Sequence, residues 1–272
     1  MEYEIKPKEK LSLGIDELWQ YRELFYFFTW RDIKVKYKQT VLGFAWAVLQ
    51  PFFMMLIFTL FFGQALNVPS EHLPYPVFVF SGLLLWNIFS SGITAAGNSM
   101  VTNANIIKKI YFPRLIIPIS SVLVSLFDFL MSVMIFVGML LFYHIQVDVL
   151  RVVLFVPAGL MICCVATFGM GTFLAALNIK YRDFKYIIPF LVQSLLFITP
   201  VIYPVGILAH RSLKFIVALN PMYAAVSLFR SGFIDKPLQV NLLMISLGSG
   251  FTLLLIGLYY FRKSEAYFAD LA

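Results

Sequence analysis

The sequence carries little charge for its length. Only 13% of its 272 residues are Asp, Glu, Lys or Arg, roughly half the share of a soluble domain. It has two cysteines, Cys163 and Cys164, adjacent and inside an apolar run. That pattern excludes a disulfide framework, and no Cys or His spacing fits a metal site. No G-x-x-x-x-G-K-[ST] is present, so the chain has no Walker loop to cradle ATP. H-E-x-x-H and G-x-S-x-G are also missing. The three histidines, His72, His144 and His210, fall between apolar runs and read as solvated loop residues. The opening MEYEIKPKEKLSLG is charged and lacks an apolar core, so no cleaved signal peptide is expected. The sequence shows no internal repeat and no low-complexity tract.

What the sequence does have is grease. Apolar residues make up 61% of it, and the mean hydropathy is +0.85. This composition belongs to an integral membrane protein. Crossing ~30 Å of hydrocarbon takes about 20 mostly apolar residues. Six windows qualify: 41–62, 77–97, 115–143, 152–177, 187–203 and 240–261. The fifth is short and is closed by Pro200 and Pro204. The expected fold is all-α, with six transmembrane helices in a single membrane domain over 1–272.

The net charge is +7, and the position of the basic residues matters more than the total. Lys6, Lys8, Lys10, Arg22, Arg31, Lys34, Lys36 and Lys38 precede the first window. Lys108, Lys109 and Arg114 lie in the second connection, Lys180, Arg182 and Lys185 in the fourth, and Arg262 and Lys263 in the tail. The other side has Arg151, Arg211, Lys214, Arg230 and Lys236. Sixteen against five places both termini in the cytoplasm. The charge therefore marks topology, and nucleic acid is not an expected partner.

Two segments are neither span nor simple loop. In IDELWQYRELFYFF, residues 15–28, the residues Leu18, Tyr21, Phe25 and Phe28 recur at helical spacing opposite Asp16, Gln20 and Glu23. This spacing predicts an amphipathic helix in the headgroup plane, as a plain anchor or as a frame for a partner. Residues 205–234 form two short apolar pieces broken at Asn220-Pro221. Neither can cross, so a re-entrant pair is expected, covered by protein or lining a cavity.

The segment NANIIKKIYFPRLIIP, residues 103–118, sits between two spans on the basic side. Asn103 or Asn105 can cap a short helix, and Pro113 stops it. A rigid peg over about 103–112 is predicted. Asp128 is the one carboxylate near the middle of a span, where a charge must face the protein interior or water. Two readings stand: a polar point on a conduction path, or an interhelical hydrogen bond. Aromatics reach 17%. Most suit lipid and the membrane interfaces, and some suit the flat C–H faces of sugars.

These residues carry a resemblance. In WRDIKVKYKQTVLGFAWAVLQP, residues 30–51, Arg31, Asp32, Ile33, Lys34, Tyr37, Leu42, Gly43, Trp46 and Pro51 resemble the first-span entry of permease subunits from polysaccharide-exporting ABC transporters (the ABC type-2 permeases). KKIYFPRLIIP (108–118), NIKYRDFKYIIPFLVQSLLFITPVIYP (178–204) and NPMYAAVSLFRSGF (220–233) resemble further stretches in the same order. Together they cover nearly the whole chain.

The resemblance implies a homodimeric channel in the bacterial inner membrane, with two ATPase chains beneath it. It also implies a polysaccharide substrate carried on a polyprenyl-pyrophosphate lipid, such as an O-antigen. No cofactor is expected on this chain, because ATP and Mg would sit on the partner. The peg would be the coupling helix, with Asn103, Asn105, Ile106, Lys108, Lys109, Tyr111 and Phe112 as its coupling residues. Arg31, Lys34, Lys36 and Lys38 would meet the pyrophosphate or lipid headgroups. Asn220, Pro221, Tyr223 and Arg230 would belong to outer gate helices. The same fold also suits an exporter of teichoic acid, capsule or a small lipophile. A transferase acting on lipid-linked sugars would need clustered carboxylates or histidines, which the sequence does not place together. Asp128 alone makes a poor proton relay for a secondary transporter.

Overall fold

A chain segment in hydrocarbon must bond its backbone internally, and a long apolar run does so as a helix. A computed structural model of the protein describes residues 15–38, 43–235, 237–265 and 268. In chain order its helices are α1 (Ile15–Gln20), α2 (Arg22–Lys38), α3 (Ala45–Phe58, continued by a π-turn over Thr59–Ala65), α4 (Tyr75–Thr102), α5 (Ala104–Ile107), α6 (Ile116–Phe142), α7 (Val149–Lys180), α8 (Phe184–Ile198), α9 (Arg211–Leu219), α10 (Met222–Ser231) and α11 (Val240–Glu265). A 3-10 turn over Val205–Ile207 precedes α9. The described residues contain no strand.

Among the described residues five helices are long and apolar enough to cross a membrane: α3 with its π-turn, α4, α6, α7 and α11. The fifth window is realised as α8. Its 15 residues reach about 22 Å at 1.5 Å per residue, short of a ~30 Å core. It ends at Thr199, whose backbone is extended because Pro200 follows. Where the sequence predicts a re-entrant pair, the chain forms a bent pair of short helices. α9 and α10 meet at 95° across Asn220-Pro221. Asn220 Oδ1 accepts the Met222 backbone N–H at 3.0 Å, an Asx turn that starts α10.

α4 is the hub. Burial inside the protein covers 78% of its apolar window, against 17–33% for the other spans. It packs on α6 and α7, and α7 packs in turn on α10 and α11. Small residues allow the α7–α11 approach. A Cβ at Gly169 would lie 2.7 Å from the Leu254 Cα, and one at Gly257 would strike the Gly169 carbonyl. Outward positions are apolar, as lipid requires: Met134, Val137 and Leu141 on α6, and Phe251, Leu255 and Ile256 on α11.

One cluster ties the basic segments to the same end of the bundle. It contains Phe28, Met100, Ile107, Phe112, Leu115, Ile179, Phe261 and Phe268. α2, the 103–114 elbow, the end of α7 and the end of α11 therefore meet there. Lys6, Lys8, Lys10 and Lys236 lie outside the described residues.

Two predicted segments differ in detail. The helix expected over 15–28 is broken at Tyr21, and its second part runs on to Lys38. The peg expected over 103–112 is helical only over Ala104–Ile107. The reason is geometric. Ile107 and Phe112 both bury in the same cluster, but five helical residues would turn them about 140° apart. The chain unwinds after Ile107 so that Phe112 can reach inward. Asn103 does not cap this turn with its side chain. Its Nδ2 donates to the Ser99 carbonyl at 2.8 Å instead.

Candidate functional site

Between Val77 and Met100, every residue of α4 is buried except Asn87, Ser90, Ser91, Thr94, Ala95 and Asn98. Five of these six are polar. Their spacing of three, four, seven and eleven residues puts them on one helix face. Lipid-facing positions elsewhere are apolar, so this face cannot be a lipid face. It must look onto water or protein.

The stripe is partly satisfied from within. Ser91 Oγ donates to the Asn87 carbonyl at 2.5 Å, Thr94 Oγ1 to the Ser90 carbonyl at 2.7 Å and Asn98 Nδ2 to the Thr94 carbonyl at 2.8 Å. Asn98 Oδ1 also accepts from Asn178 Nδ2 at 3.0 Å. Back-bonding uses the hydroxyl protons and leaves oxygen lone pairs facing outward. In front of the stripe lies a groove of about 690 Å³. Its other walls are Trp46, Ala47 and Gln50 of α3, Ser121, Asp128, Phe129 and Ser132 of α6, and Val192 of α8. From Asn87 to Asn103, both on the wall, the α4 axis rises about 24 Å.

α2 closes the basic end of the groove with Arg31, Asp32, Val35, Lys36 and Tyr37. Each cation there has a carboxylate neighbour. Arg31 Nη2 lies 2.7 Å from Asp32 Oδ1, and Lys36 Nζ lies 2.5 Å from Asp128 Oδ2. The Tyr37 hydroxyl donates to Asp128 Oδ1. Burial, then the hydrogen bond to Asp128, hold the Tyr37 phenol above its ordinary range, so it remains a proton donor. Arg31 Nη2 also donates to Asn103 Oδ1 at 2.8 Å, and its guanidinium stacks 4.8 Å over the Phe28 ring. Asp128 makes the interhelical contact of one sequence reading, and it also lines the polar groove.

The other predicted positions divide sharply. In the elbow, Asn105, Lys108, Lys109 and Tyr111 are exposed and Ile106 is half-buried. Asn103 and Phe112 are buried and face inward, so they support the elbow and do not form its outer surface. The Tyr111 hydroxyl reaches Glu17 Oε1 of α1 at 3.3 Å. Lys34 and Lys38 are exposed but do not line the groove. The Lys34 ammonium lies 5.2 Å over the Trp30 ring. The basic quartet read from sequence thus splits into two groove residues and two surface residues.

Asn220, Pro221, Tyr223 and Arg230 are all buried, and none lines this groove. Asn220 Nδ2 donates to Thr199 Oγ1 at 2.7 Å, and its carbonyl accepts from Ser246 at 2.8 Å. Arg230, expected on the outer side with the gate helices, is buried. His72, His144 and His210 are exposed as expected. The described residues hold no group of three or more His, Cys, Asp or Glu that could bind a metal ion. The α4 stripe was the feature missed in sequence, although its spacing was visible in the second window.

Spanning helices around a continuous polar groove, with a bent hairpin at one end and a basic elbow at the other, define a multi-pass membrane transport protein. Residues 23–234 match the family described as ABC-2 type transporter, and the chain belongs to that family. Among its relatives is the O-antigen export system permease protein RfbA of Klebsiella pneumoniae, 27% identical over 249 residues, covering 92% of this chain and 95% of the relative. The protein of the same name from Myxococcus xanthus is 31% identical over 227 residues, 82% of this chain and 85% of the relative. The polysialic acid transport protein KpsM of Escherichia coli is 24% identical over 244 residues, 86% of this chain and 91% of the relative.

Proposed function

We propose that the chain is the permease subunit of an ATP-driven exporter, and that it moves a lipid-linked polysaccharide outward through the α4 groove. The observation that carries this reading is the uncharged stripe Asn87–Asn98 on an otherwise buried spanning helix. A sugar polymer presents many hydroxyls. Lone pairs along a groove can accept from each in turn, and with no fixed charge along the stripe the chain is not held in one register. Trp46 and Phe129 supply ring faces beside it. The names of the relatives support polysaccharide as cargo.

In this reading a second copy of the chain completes the channel. Two ATPase subunits bind ATP and Mg and dock at the basic end, which faces the cytoplasm of a bacterium with the protein in its inner membrane. The docking surface is the exposed elbow, Asn105, Lys108, Lys109, Ile110 and Tyr111, together with Trp19 of α1. Arg31 and Lys36 stand at the groove mouth, where a pyrophosphate-bearing lipid would enter. Lys34 and Lys38 meet anionic membrane headgroups. Capsule and teichoic acid share the chemistry that this lining suits. A small lipophile suits it less well, because hydroxyl and amide groups line the groove.

The test is reconstitution of the chain alone and with the ATPase encoded beside it. ATP hydrolysis is expected only in the complex, and export only with hydrolysis. An unaided chain that hydrolyses ATP, or a pair that never associates, would refute the proposal. Truncating the exposed Ile110 and Tyr111 to alanine is expected to weaken ATPase docking by about tenfold, the usual loss at an aromatic contact. Sedimentation of the permease should be unchanged. Undiminished docking would move the partner surface elsewhere.

A further inference from the structure

The side chains that fasten α2 to the bundle form two sets, with Leu24 and Phe25 packed beside the first. Near its middle it grips the elbow. Arg31 donates to Asn103 at 2.8 Å, and the Phe28 ring packs 5.6 Å from the Phe112 ring. Near its C-terminal end it grips α6. Ile33 and Tyr37 bury against Val124, the Tyr37 hydroxyl donates to Asp128 Oδ1, and Lys36 Nζ meets Asp128 Oδ2 at 2.5 Å. Phe28 and Tyr37 are nine residues apart, roughly 13 Å along the axis. The rest of α2 is largely exposed. Past α2, Gly43 takes a φ of +50°, which favours glycine, and just beyond it the Phe44 ring lies 4.5 Å from the Tyr37 ring.

The polar contacts fix the direction of force. Asn103 and Phe112 face inward from the elbow, as Ile107 does, and these two give a push on its outer surface a path to α2. Both press on α2. The far end of α2 then holds α6 through one carboxylate that lines the groove. Both Asp128 oxygens are engaged, one by an ammonium and one by a phenol, and both partners belong to α2. The interaction is therefore a specific joint between two helices and not general surface pairing.

We propose that Asp128 is a positioning residue. Gripped by Lys36 and Tyr37, it makes α2 a lever that carries displacement of the 103–112 elbow to α6 and so sets the width of the groove mouth. This rests on the exporter reading above, because it needs an ATPase to move the elbow. Beside the direct place of Asn103 on the groove wall, the lever adds a route by which the outer surface of the elbow acts on the pathway.

The complex with its ATPase is reconstituted with wild-type permease, Asp128→Asn, Tyr37→Phe, and the exchange pair Lys36→Asp with Asp128→Lys. Polymer export and ATP hydrolysis are measured together, with the melting temperature of each permease. The single variants are expected to keep ATP hydrolysis and to export about tenfold less polymer per ATP, in the range of ordinary site-to-site coupling. The exchange pair, which restores the attraction with its sign reversed, is expected to recover export to within about threefold of wild type.

Single variants with a wild-type ratio of export to hydrolysis would overturn the lever. So would an exchange pair that regains the wild-type melting temperature without regaining export. If the singles fail to assemble, the assembled exchange pair decides the question by the same criterion. Wild-type complex that exports nothing would remove the exporter reading itself. Wild-type export with unaffected singles would remove only the lever.

Discussion

Replacing Arg230 with leucine is expected to destabilise the inserted protein by about 3–5 kcal/mol, the summed cost of buried carbonyls left without their donors, and to abolish transport. The Arg230 side chain joins three parts of the chain. Nε donates to Ser81 Oγ at 3.2 Å, Nη1 to the Pro200 carbonyl at 2.7 Å, and Nη2 to the Phe78 and Val201 carbonyls at 3.0 and 2.8 Å. Its guanidinium carbon lies 3.6 Å from the centre of the Phe78 ring. The Pro200 and Val201 carbonyls lie just past the end of α8, where no following helical turn can donate to them. Leucine would take these donors from the buried Pro200 and Val201 carbonyls, each at a cost of its own, while the Phe78 carbonyl would keep its bond from Ser81 Oγ.

Lysine is not expected to rescue Arg230. Its three rotatable donors cannot reproduce a planar fork that also stacks on an aromatic face. Gly82 is part of the same arrangement, because a Cβ there would come within 2.8 Å of Nη2. The readout is the melting temperature of purified protein in nanodiscs, with export in cells. Arg230→Leu and Arg230→Lys should both melt well below wild type. A wild-type melting curve for either would show that the clasp is dispensable.

Filling the groove should act in the opposite way, removing transport without touching the fold. Ala95 and Thr94 face the groove on a helix that is otherwise packed. Ala95→Trp and Thr94→Phe add bulk only toward open volume. Each is expected to lower export by about 100-fold, equivalent to a pathway barrier raised by ~2.7 kcal/mol. Assembly with the ATPase and the melting temperature should stay near wild type. Leu141→Phe is the matched control, because Leu141 is 71% exposed on the α6 face and points into lipid. It should export normally. Equal damage from the control would mean that bulk at any position is harmful and that the groove has no special standing.

Some of this arrangement was legible in the sequence, for identifiable reasons. Five spans follow from averages over about 20 residues, which lipid imposes directly. The bend at Asn220-Pro221 follows from local backbone chemistry and was placed correctly. α8 was legible in position, but its helix stops at Ile198 where Pro200 forces the chain extended. The basic residues sorted to one end, and the structure brings those segments together around Phe28, Phe112 and Phe261.

What sequence could not supply was partnership across the fold. The Lys36 contact with Asp128 joins residues 92 positions apart, and nothing local announces it. Arg230 looks like a loop cation until Ser81, Pro200 and Val201 gather around it. The elbow was overread as helix because its local signals, Asn before and Pro after, are helical ones. The tertiary demand that both Ile107 and Phe112 be buried overrode them. The α4 stripe was legible in principle. Asn87, Ser91, Thr94 and Asn98 repeat at helical spacing, but a hydropathy average over the window hides a single polar face.

The most direct measurement places a thiol on the stripe. Thr94→Cys, made with Cys163 and Cys164 replaced by alanine, is treated with a membrane-impermeant maleimide in the assembled exporter. The treatment is repeated after the complex has been stalled with polymer engaged. The account predicts that Thr94→Cys labels in the resting complex and is protected when polymer occupies the groove. Failure to label, or labelling that the stalled polymer leaves unchanged, would contradict the claim that this face of α4 is the wall of the export path.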